Sequence, residues 1–251
     1  MAQEITKLDS PIDVMYLMHA AFEALSERVE RLAAEGQEGG DLGKFRESFD
    51  LWVKQLLYHA TAEDTYMTAP LVNCQPARDS EAEHAELVQQ GTELVAYLEK
   101  GDEAGVSDSI KSTILALEKQ EHKELVARLH EVEEVLKKEI GREKVVARTR
   151  RHLYQRVMAF RVLEFDHFEN EEAFVVPLVR ERIDEQQQLE MVRYLLIDDR
   201  VENSRWIVDW VGSELAPKER ALLYALEARF SEAPITFGIL RQDQRKEDSL
   251  N

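Results

Sequence analysis

The sequence predicts an all-α protein: an antiparallel four-helix bundle with one inserted long helix and a helical C-terminal extension. Three observations carry this. Apolar residues recur at spacings of three and four over long stretches, the period of a helix with one buried face. No segment alternates with the period of two that a half-buried strand requires. The 251 residues include only 10 Gly and 6 Pro, too few for the tight turns of an all-β fold.

The elements follow in order. Asp9-Ser10-Pro11 is an N-cap signal with proline in the first turn. It predicts a first helix over about 11–34, with Met15, Met18, Phe22, Leu25, Val29 and Leu32 on one face. The glycine-rich stretch 36–43 predicts a loop. A second helix is expected over about 44–69, followed by a loop over 70–79 that contains Cys74. The third spans about 80–100 and ends at Gly101. An inserted helix covers about 107–140, and Gly141 stops it. The next helix covers about 142–182 and is kinked near Pro177. Residues 187–230 divide into two or three shorter helices, with Pro217 opening the last, and a frayed tail is expected from about 241. In domain terms, residues 1–183 form the bundle and 184–251 an extension that packs on it.

Composition narrows the function. There are 50 Asp+Glu against 32 Lys+Arg, a formal net charge of −18. Such a field repels phosphate, which argues against nucleic acid or an anionic membrane as partner. The single Cys74 excludes a disulfide framework and a multi-cysteine zinc site. No apolar run approaches the roughly 20 residues of a membrane span. The first residues lack the basic and apolar regions of a signal peptide, so a cytoplasmic location is expected. Seven His are the compositional hint of chemistry.

Two helices carry that chemistry on their core stripes. In the second, the 4,3 spacing reads Phe45, Phe49, Trp52, Leu56, His59, Glu63, Tyr66. In the 142–182 helix it reads Leu153, Val157, Phe160, Glu164, His167, Glu171, Phe174, Leu178. Each stripe buries a His and a Glu four residues apart. A buried carboxylate costs several kcal/mol unless it is paired or binds a metal. A dinuclear metal site would satisfy both pairs together. The spacing alone is weak evidence, since His19 and His130 also have Glu at i+4. Position separates them. His130 and Glu134 fall off the stripe Leu125, Leu129, Val132, Leu136 and read as a solvated pair.

The segments HATAEDTYMTAPL (59–71) and HFENEEAFVVPL (167–178) share His-x3-Glu-acid, then a small or apolar stretch, then Pro-Leu. This repeated motif resembles the hemerythrin-like (HHE cation-binding) family, over about residues 9–183. The resemblance implies a nonheme diiron four-helix bundle in which the first and third helices each add a histidine. His19, beside Met15 and Phe22, and His84, in line with Leu87, Gly91 and Leu94, fill those places. The implied metal ligands are His19, His59, Glu63, His84, His167 and Glu171, a His4Glu2 site. That set has fewer histidines than the invertebrate oxygen carrier and is closer to iron-sensing hemerythrin-like domains. The long insertion departs from the family pattern.

Imidazole and carboxylate donors suit iron, with manganese or zinc as alternatives. Two six-coordinate irons offer about twelve positions. Bridging glutamates, four histidines and a bridging oxo or hydroxo leave about two open for O2, peroxide or NO. The expected function is binding and activation of O2 or peroxide, an oxidoreductase reading. The alternative is a non-catalytic sensor or binder of O2, NO or iron at the same site. The chain is expected to be a monomer or homodimer.

Other residues carry weaker signals. Glu164, on the core stripe, reads as an acceptor for a ligand histidine, an extra metal ligand or a rim residue. Tyr66, one turn beyond Glu63, reads as lining the open position or donating a proton, or as an ordinary core tyrosine. These two are the candidate catalytic residues. Glu23 reads as a solvent-facing acid. His122 reads as a core histidine, His152 as part of a basic helix face over 141–156, and Cys74 as an unreactive loop residue. The apolar stretches 191–197 and 206–211 read as packing surface rather than oligomer interface.

Overall fold

A computed structural model describes residues 5–37, 42–99 and 147–232. Among them every regular element is helical. The predicted inserted helix (107–140), His122, His130 and the tail from 241 lie outside the described residues.

A 3-10 turn, Pro11–Asp13, leads into α1 (Val14–Gln37). Pro11 occupies the first position of that turn, where its missing N–H costs nothing. The Asp13 carboxylate accepts the N–H groups of Asp9 and Ser10, which fixes the chain entry. Helix α2 (Leu42–Glu63) runs into a π turn, Asp64–Thr68, and a 3-10 turn, Ala69–Leu71. Helix α3 spans Gln75–Glu99. Its start corrects the expected loop over 70–79. Pro76 sits in the first turn, and Gln75 is tied to Asp79 and Arg78 through side-chain hydrogen bonds. Proline near a helix start is favourable, so it opens this helix rather than excluding it. Helix α4 (Ala147–Asn170) continues through a second π turn, Glu171–Val175, into α5 (Val176–Arg182). Helices α6 (Glu185–Leu196), α7 (Trp206–Glu214) and α8 (Pro217–Glu227) follow, the last opened by Pro217 as expected.

The chain forms two compact units, and their boundaries fall inside helices. One unit comprises residues 1–21, 61–80 and 168–251. Here α6 packs on the Pro11–Asp13 turn and on the first π turn. Its N-cap, Asp184, accepts the Gln187 N–H at 2.9 Å. Arg180 donates to Asp13 at 2.6 Å, and Ser10 donates to Gln188. The apolar residues Met191, Val192, Leu195 and Leu196, with Ile207, Val208 and Val211, are buried within the chain itself.

The other unit comprises residues 22–60 and 81–167. Its core is aromatic. Phe45, Phe49, Trp52 and Phe160 form a chain of ring contacts with centroids 4.8–5.9 Å apart. Gly91 lets α3 approach closely. A Cβ there would meet the Phe160 ring at 3.2 Å and Val53 at 3.5 Å.

The two π turns correct the predicted core stripes. Helical spacing places Tyr66 and Phe174 inside. Instead Tyr66 is half-buried and Met67 fully buried, while Phe174 is 59% exposed and Val175 only 2%. A π turn hydrogen-bonds five residues back, as Val176 N–H does to the Glu171 carbonyl, and so takes up an extra residue. The next inward position moves on by one. Pro70 and Pro177 lie just beyond these turns. Each lacks the donor for a regular rung, and its ring crowds the carbonyl four residues back. The widened turn accommodates both effects.

Candidate metal centre

The four helices α1–α4 each deliver buried polar side chains. His19 on α1, His59 and Glu63 on α2, His84 on α3 and His167 on α4 are all at most 2% exposed, as is Glu171 at the head of the second π turn. Six ionisable groups this deeply buried need a common explanation, because each costs several kcal/mol if left to itself.

Their ligand atoms cluster. One oxygen or nitrogen from each of His19, His59, Glu63 and Glu171 lies within 4.8 Å of the others. The same is true of Glu63, His84, His167 and Glu171. Both groups therefore contain Glu63 and Glu171, and each adds two histidines. The structure thus brings together every residue the sequence nominated as a ligand.

The surroundings orient the imidazoles. His19 stacks on Phe168 with centroids 4.1 Å apart, and its Nδ1 meets Glu172 Oε1 at 2.8 Å. Its Nε2 faces Glu171 Oε2 at 3.3 Å. His167 Nδ1 meets Glu83 Oε2 at 2.8 Å, and its ring packs edge-on to His84 at 4.5 Å. Phe22 packs against His59 at 5.0 Å. Burial by itself lowers the basicity of His19. Hydrogen bonds and negative charge from Glu171 and Glu172 outweigh burial and push its pKa up to about 9.

These contacts test the fit to a cation. A metal-binding histidine commonly donates its outer N–H to a carboxylate while the other nitrogen faces the metal. His19 and His167 each have a carboxylate oxygen 2.8 Å from Nδ1, the contact that such an arrangement requires. The donors are imidazole nitrogens and carboxylates, without thiolate, which suits iron, manganese or zinc. The buried His/Glu clusters fit a metal site.

Residues 10–118 match the hemerythrin HHE cation-binding domain family model. The match bears out the resemblance over residues 10–118, which contain the first of the two His-x3-Glu motifs. The hemerythrin match includes His19, His59, Glu63 and His84 and ends before His167 and Glu171. It is the geometry that joins those last two residues to the same groups. No curated protein and no solved structure is matched by the chain. No helix among the described residues is long and apolar enough to cross a membrane.

The remaining nominated residues fall elsewhere. Glu164 is 1% exposed, which removes the rim reading, and its carboxylate accepts the indole N–H of Trp52. It is in neither ligand group. Tyr66 stacks on Tyr194 with centroids 4.4 Å apart and planes 11° off parallel. Glu23 is half-buried. Cys74 accepts a hydrogen bond from Arg182 at 3.4 Å.

Sequence reasoning missed three residues at the site. Glu83 and Glu172 were passed over among many surface acids, although each adjoins a nominated ligand in sequence. Ser80 was read only as the start of the third helix. It is buried inside α3, and its hydroxyl donates to Glu171 Oε1 at 3.3 Å.

Proposed function

We propose that this chain holds two nonheme iron ions in a hemerythrin-like bundle formed by α1–α4, and that the centre binds and activates O2 or peroxide. The observation that carries the proposal is the sharing of Glu63 and Glu171 by both ligand groups. A carboxylate has two oxygens and can bridge two cations, whereas each histidine serves one. His19 and His59 would hold one ion, His84 and His167 the other. Iron so held supplies a redox-active pair with coordination positions for a small exogenous ligand.

The chain's own residues do the rest. Glu63 and Glu171, both buried, would neutralise the charge of the cations. Ser80 holds one Glu171 oxygen. Phe22 and Phe168 wall the centre beside His59 and His19, which restricts access to small ligands.

Metal analysis after iron-replete expression tests the centre: two irons per chain are expected, and fewer than one would sink it. Anaerobic reduction followed by stopped-flow mixing with O2 or peroxide tests the chemistry. Rapid oxidation of both irons with turnover of added peroxide is expected. A coloured species that forms with O2 and reverses on deoxygenation would instead assign carriage or sensing.

A further inference from the structure

The two outer carboxylates, Glu83 and Glu172, are placed with a regularity that the six ligands do not require. Glu172 directly follows Glu171 and holds His19 Nδ1 at 2.8 Å. Glu83 directly precedes His84 and holds His167 Nδ1 at 2.8 Å. His19 belongs to one ligand group and His167 to the other. Each group thus has at least one imidazole backed by a carboxylate. The exposures also match. The histidine side chains are 1% exposed, whereas Glu172 and Glu83 are 35% and 30% exposed. Each acid keeps part of its carboxylate in water, while its inner oxygen reaches a buried ring.

We propose that Glu83 and Glu172 are positioning residues, one for each cation. Each accepts the Nδ1–H of its histidine, fixes that tautomer and leaves Nε2 to face the metal. The negative charge behind the ring increases its donor strength. This rests on the dinuclear reading above. It adds that the two cation positions are tuned separately, by residues outside the ligand set.

The test uses the full chain, stripped of metal by chelation and titrated anaerobically with Fe(II) or Co(II) against a competing chelator. E172A and E83A should each weaken one of the two binding steps by about 10–100-fold. The double variant should weaken both. E172Q and E83Q keep an acceptor and the side-chain shape but lose the charge. They should weaken the same step by about tenfold and raise the iron reduction potential, which a merely structural contact would not move. E86Q is the control. Glu86, half-buried on α3, accepts the side-chain amide of Gln90 and is in neither ligand group, and the variant should bind as wild type.

Should an alanine variant fail to fold, the glutamine variants decide. Wild-type affinity and potential in both glutamine variants would overturn the proposal while wild-type loading with two ions left the dinuclear reading standing. A wild-type chain that binds no cation would remove that reading, and this inference with it.

Discussion

Trp52 donates its indole N–H to the carboxylate of Glu164, and both side chains are buried. A carboxylate on an otherwise apolar stripe is thereby held by the largest aromatic of its neighbourhood. Trp52→Phe removes the donor and some ring volume while Glu164 stays buried. Leaving that buried acceptor with one donor fewer costs about 1–3 kcal/mol. Chemical denaturation should record at least that loss. Glu164→Gln keeps an acceptor and should cost less than Trp52→Phe. Equal stability of wild type and Trp52→Phe would show that the pair contributes nothing.

The π turns make a prediction opposite to regular helical spacing. Phe174→Ser should change stability by no more than about 0.5 kcal/mol, because an exposed side chain has little to lose. Val175→Ala should cost about 1–3 kcal/mol, from lost burial and the cavity left behind. An uninterrupted α-helix through 171–178 would reverse this order. Melting curves of the two variants decide it.

The shared carboxylates and the histidines should differ in what they remove. Glu63→Ala or Glu171→Ala should abolish binding of both cations, since each residue is in both groups. His59→Ala or His84→Ala should weaken mainly one. Metal content per chain, read by elemental analysis, distinguishes two lost from one. Unchanged content in both glutamate variants would end the bridging assignment.

Stability of the metal-free chain should depend on pH through His19. Its folded pKa is raised to about 9, against an ordinary value of 6.5. The folded state therefore holds this proton more tightly than the unfolded chain does. The contribution is fully present below about pH 6.5 and is lost as pH rises through about 9. Denaturation midpoints of chelator-treated wild type should fall across that window. His19→Gln should lack this part of the decline. Parallel curves for the two proteins would contradict it.

The sequence by itself determined the helical class, because apolar spacing of three and four is a local property. It also singled out four of the six clustered residues, since His59, Glu63, His167 and Glu171 fall on stripes that are otherwise mostly apolar; His19 and His84 were added by the family resemblance. A polar residue on a core stripe is visible without knowing what it meets.

Tertiary structure decided what lies around them. The π turns were not legible, because the pattern of residues near Pro70 and Pro177 fits a kink as well as a widened turn. Only the hydrogen bond from Val176 to Glu171 shows which was formed, and so which of Phe174 and Val175 turns inward. Glu83 and Glu172 were hidden for another reason. They are two acids among 50, and nothing local separates them from solvated ones. Their partners, His167 and His19, lie 84 and 153 residues away along the chain. A contact of that span is fixed by the packing of helices, which no local period encodes.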